Sequence, residues 1–100
     1  MREASTNKFG RPFDISEQRT VWQKGKVVVG YDPNVWRQDR YGNHMKFSEY
    51  GNRNSQYGWE IDYIKPVSAG GTDDLANLQP LYWRENAEKS NIYPYKNNHE

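Results

Sequence analysis

The 100-residue sequence contains no cysteine. That excludes a disulfide framework and any zinc site built on thiolates, so packing alone must hold the chain together. No long apolar run occurs, so no segment has the form of a transmembrane helix or a secretory signal. The expectation is a cytoplasmic protein with no membrane partner. Hydrophobic residues make up 34% of the chain, enough for the modest core of a single small domain. Net charge is only +1, too small in itself to imply a nucleic-acid partner.

Aromatic residues are plentiful: four Trp, eight Tyr and three Phe. Each buries a large area, so a core is possible despite the shortage of aliphatic residues. Charge is unevenly spread. Residues 1–58 hold ten Lys/Arg against six Asp/Glu, and residues 59–100 hold four against seven. A basic front and an acidic back suit a phosphate-facing surface beside a cation site, although a solvated mixed surface gives the same counts.

The pattern along the chain predicts α+β organisation, with a tail over 1–12, a domain over 13–92 and a second tail over 93–100. A helix is expected over 16–24, capped by Asp14 or Ser16, stopped by a left-handed Gly25, with Val21 and Trp22 inward. Residues 26–30 read as a strand, and Asp32-Pro33-Asn34 as the start of a helical turn through Val35, Trp36 and Arg37. Tyr41-Gly42-Asn43 is a turn signal, and 44–48 a weak strand. A clear strand covers 59–64, a return strand 78–82 and a short helix 83–90. Residues 91–100 are expected to fray.

On the 59–64 strand, Trp59, Ile61 and Tyr63 share one face, and Glu60 and Asp62 the other. Residues 62 and 63 therefore meet at one site only where the pleat fails, and Pro66 with Gly70-Gly71 supplies such a break. The ordered blocks are Trp59-Glu60-Ile61-Asp62-Tyr63-Ile64-Lys65-Pro66-Val67-Ser68, then Gly70-Gly71, then Asn77-Leu78-Gln79-Pro80-Leu81, then Asn86 and Lys89. Together they resemble the HNH endonuclease family. The run 32–39, with Gly42 and Tyr50-Gly51, resembles the front half of small stand-alone members, so the likeness spans about 16–91.

The resemblance implies a zinc-free ββα-metal (His-Me finger) fold, two strands and a helix around one divalent cation, acting on DNA. By that likeness Asp62 and Asn86 are the metal ligands and Asn77 positions the general base. The base position, normally His, is Tyr63. Lys65, Arg84 and Lys89 are candidate phosphate contacts; surface solvation is the alternative. The implied cofactor is Mg²⁺, with Mn²⁺ or another divalent ion as alternatives. A hard cation prefers oxygen ligands and keeps several waters, leaving room for phosphate oxygens.

Tyrosine suits proton abstraction poorly. With a reference pKa of about 10, roughly one phenol in a thousand is ionised at pH 7, whereas histidine titrates near 6.5. A positioned base is worth about 10²–10⁴-fold in rate. Tyr63 is therefore open to three readings: an inactivating substitution, a natural domain that binds without cutting, or a working variant using phenolate or metal-bound hydroxide. Oligomeric state is not readable.

The remaining candidates have plainer readings. His44 is a replacement base or a packing residue, and His99 lies in the tail. Glu60 is an extra ligand or the partner of a basic residue. Asp73-Asp74 read as caps of the turn at 75–77. Arg37 and Arg40, interleaved with Trp36 and Tyr41, are candidate DNA contacts, with Trp36 as core the competing reading.

Overall fold

The computed structural model describes residues 10–96. Seven regular elements follow in order: α1 (Ile15–Trp22), β1 (Lys26–Val27), β2 (Trp36–Gln38), β3 (His44–Lys46), β4 (Trp59–Tyr63), β5 (Leu78–Tyr82) and α2 (Trp83–Lys89). Strands β1, β2 and β3 form one antiparallel sheet, while β4 and β5 form a separate antiparallel pair. The unit β4–β5–α2 is the ββα arrangement that the sequence blocks imply.

Helix α1 starts on a reciprocal cap. The Asp14 carboxylate accepts from Glu17 N at 2.8 Å, and the Glu17 carboxylate accepts from Asp14 N at 3.0 Å, which satisfies two otherwise orphaned amides. Val21 and Trp22 point inward as expected. The end differs. Gly25 is not left-handed; instead, a Cβ there would lie 3.0 Å from Arg37 Cβ. Arg37 is buried, and its guanidinium donates to the carbonyls of Gln23 (3.2 Å), Gly25 (2.9 Å) and Pro33 (3.0 Å). It is thus committed to main-chain carbonyls just past α1 and in the turn before β2, buried away from the surface.

Two segments depart from expectation. Only Lys26–Val27 of the anticipated first strand pairs, and Val29 is 94% exposed. The Asp-Pro-Asn sequence makes the expected turn, but it ends at Val35 instead of running through Arg37. Asp32 accepts from Asn34 N through its side chain and from Val35 N and Trp36 N through its carbonyl, each at 2.9 Å. The chain then leaves this turn as strand β2.

The core is aromatic. The rings of Trp22 and Trp59 lie 4.9 Å apart, Tyr50 packs edge-on against Trp59 at 4.8 Å, and Phe47 touches both indoles. Phe13, Val21, Met45, Ile61, Tyr63 and Leu78 complete the cluster. All five residues of β4 are buried, because the core covers one face and α2 the other.

The outer edge of β5 is occupied in a specific way. Ile64 N donates to Asn77 O and Trp83 N to Gly58 O, so with the observed register Leu78, Pro80 and Tyr82 turn their main-chain groups away from β4. Leu78 O accepts from Lys24 Nζ at 2.7 Å, Tyr82 N donates to Asp39 at 3.1 Å, and Pro80 has no N–H to leave open. Lys24 also donates to Leu75 O, and its burial lowers its pKa from the ordinary lysine value.

The C-terminal stretch is better anchored than its composition suggests. Tyr95 packs edge-on against Tyr41 at 5.6 Å and donates its hydroxyl to Glu85. Residues 1–9 and 97–100, including most of the expected first tail and His99, lie outside the described residues.

Candidate functional site

Alternation along β4 sends Glu60 and Asp62 toward α2, where Asn86 and Lys89, three residues apart, share a face. Two polar pairs result. Asn86 Nδ2 donates to Glu60 at 2.8 Å, and Lys89 Nζ lies 3.3 Å from the Asp62 carboxylate. Glu60 is also gripped by Arg53, whose Nε and Nη2 donate at 2.7 and 2.8 Å. These bonds to the carboxylate, ahead of its charge, raise the Arg53 pKa from its ordinary value. The expectation that Glu60 finds a basic partner is met.

Asp62 is 2% exposed. It receives a 2.9 Å bond from Gln79 on β5, its register partner, beside the Lys89 ammonium. Lys89 is itself 2% exposed and donates to Tyr63 O at 2.8 Å. It is therefore an internal cation bridging α2 to β4, not a surface contact for phosphate. An ammonium buried with a carboxylate and a carbonyl is tolerated only because both partners are supplied.

Tyr63 remains within the paired part of β4, opposite Leu78, so the pleat does not break there. Its ring belongs to the core, and its hydroxyl donates to Asp73. That uses Asp73 differently from the expected cap, and Asp74 makes no side-chain capping bond. Asn77 clamps the loop between β4 and β5. Its Oδ1 accepts from Lys65 N at 2.8 Å, and its Nδ2 donates to Lys65 O at 3.0 Å and Thr72 O at 2.9 Å. Gly71 is required in this loop, since a Cβ there would fall 1.7 Å from Lys65 O.

A cavity of about 210 Å³ opens where β4 meets the end of α2, lined by Asp62, Tyr63, Pro66, Val67, Ser68, Ser90 and Asn91. Asp62 and Tyr63 thus border one space although they lie on opposite faces of the strand. Lys65 and Arg84 are exposed, with Lys65 Nζ 6.0 Å from the Tyr93 ring and the Arg84 guanidinium 5.1 Å from that of Trp83. His44 is exposed on β3, 3.3 Å from Gln38, and does not line this cavity.

A hard divalent cation asks for oxygen donors that face one point. Asp62 and Asn86 have the right chemistry, but they belong to different pairs, and the positive charge on Asp62 is already that of Lys89. Among the described residues no three His, Cys, Asp or Glu side chains converge as a metal cluster. In this arrangement Asp62 faces Lys89 and Asn86 faces Glu60, so the two oxygen donors do not share a partner.

Residues 44–91 match the family model described as HNH endonuclease. These residues form an HNH-family domain. The match begins at β3 and ends just past α2, so it covers the ββα unit and its cavity, whereas the run 32–39 precedes it. No curated protein and no solved structure matches the chain. Among the described residues no helix of the HNH domain or its flanks is long and apolar enough to cross a membrane.

Sequence reasoning missed Gln79, Arg53, the bond of Asp73 to Tyr63 and the inward role of Lys89. The Asn86–Lys89 spacing was a usable signal for Lys89. Gln79 required the strand register, and Arg53 and Asp73 sit in loops without periodicity.

Proposed function

We propose that the HNH domain is of endonuclease type and acts on DNA phosphodiester bonds, with hydrolysis held low by Tyr63. The observation that carries this reading is the shared cavity of Asp62 and Tyr63, within the segment that matches the HNH model. Asn77 keeps the loop beside that cavity closed, and Lys65 and Arg84 are exposed cations for flanking phosphates. A phenol whose hydroxyl already donates to Asp73 is a poor proton acceptor for water. Asp62 is neutralised by Lys89.

Those last two contacts favour a second reading, in which the domain grips DNA without cutting it. Nicking of supercoiled plasmid by the native protein and by Tyr63→His, with Mg²⁺, with Mn²⁺ and with chelator, separates the two. On the endonuclease reading Tyr63→His nicks at least tenfold faster, and chelator abolishes the reaction. Equal rates for both proteins refute the base position. Steeply salt-dependent duplex binding without nicking by either protein selects the second reading.

A further inference from the structure

A second hollow, about 320 Å³, lies beside the three-stranded sheet and is lined by Val28, Tyr31, Trp36, His44 and Tyr57. Trp36 meets Tyr57 edge-on at 4.9 Å and Tyr31 at 6.3 Å, with interplanar angles of 86° and 68°. Neither contact is a parallel stack. Three of the four indoles in the chain donate their N–H to a main-chain carbonyl: Trp22 to Pro33, Trp59 to Phe47 and Trp83 to Ser55. Trp36 has no such hydrogen bond to any described residue, and neither do the hydroxyls of Tyr31 and Tyr57. Lys46 Nζ stands 5.6 Å from the Trp36 ring, and the polar pair Gln38–His44 lies on the adjoining strands.

We propose that this hollow is a subsite for an unpaired nucleobase of a DNA strand, a reading that rests on DNA as the partner. A planar base gains from aromatic surfaces that lack a parallel neighbour, and its ring nitrogens and carbonyls suit the unpaired indole N–H and phenol groups. Lys46 supplies a charge for the adjoining phosphate. A protein partner docking through apolar side chains alone would leave these donors without acceptors. Tyr57 precedes β4 by two residues, and Tyr63 ends it. Six residues of chain span at most roughly 20 Å, so the hollow and the Asp62 cavity are bridged by about six nucleotides of one strand or fewer at the 3.4 Å duplex spacing. One bound DNA can therefore reach both.

The test is fluorescence anisotropy with a short labelled oligothymidylate and with an abasic oligomer of equal length. The native protein should bind the base-bearing strand tighter. Trp36→Leu should weaken that binding about 5- to 150-fold, the range of one base–aromatic stack, with no change in salt slope. Tyr31 is 60% exposed, so Tyr31→Ala keeps the comparison available if Trp36→Leu does not fold; it should weaken binding in the same direction. Equal affinity for both oligomers, or unchanged affinity in a folded variant, overturns the subsite alone. Absence of binding to either oligomer and to duplex overturns both the subsite and the DNA reading.

Discussion

Ser90 closes α2 with φ 46° and ψ −122°, and Ile92 N donates to Lys89 O at 2.9 Å. These angles describe the first central position of a type II′ turn, which glycine occupies without strain. Serine holds it at a cost of about 1–3 kcal/mol, on the rim of the Asp62 cavity. Ser90→Gly should therefore stabilise the fold by about 1 kcal/mol, read as a higher urea midpoint with unchanged slope. At this scale the sequence was partly readable. The alternation of β4 placed Glu60 and Asp62 on one face, and Glu60 duly meets a cation. Nothing in residues 53–57 singled out Arg53 as that cation. Lys89 was read as a phosphate contact or a solvated cation, whereas it is buried, a rare place for lysine.

Between elements, α2 is tied to β4 by polar groups in register. Glu60 meets Asn86, and two residues further along the strand Asp62 meets Lys89, three residues further along the helix. Removing one partner of a buried pair leaves the other uncompensated, which costs about 3–5 kcal/mol. Lys89→Met should lose stability on that scale, and the double variant Asp62→Asn/Lys89→Met should recover part of it in thermal melts. Element boundaries were read well for β4, β5 and α2, whose apolar and polar positions repeat clearly. The turn begun at Asp32 was read correctly but its end was not: Trp36 and Arg37 already belong to β2, which only pairing with β3 reveals.

Over the whole molecule, the ββα unit could be inferred because its blocks are ordered along the chain. The three-stranded sheet could not, since its strands are two or three residues long. The anchoring of residue 95 was hidden for another reason: its ring partner, Tyr41, is distant in sequence, and Glu85 faces it only once α2 has formed. Desolvation, then the bond to Glu85 and nearby negative charge, push the Tyr95 phenol above its ordinary 10.0. The unfolded chain thus releases this proton at lower pH than the folded one. Tyr95's contribution is complete below about pH 10 and is lost as the medium becomes more alkaline. Urea midpoints should fall above that point, and Tyr95→Phe should flatten the fall.

The covered margin of β5 matters for molecules meeting one another. A foreign strand approaching that side finds an ammonium on one acceptor, a carboxylate on one donor and an imide nitrogen between them. Zipper-like growth from this side is blocked at its first rungs, so crowding should not recruit further copies into a ribbon there.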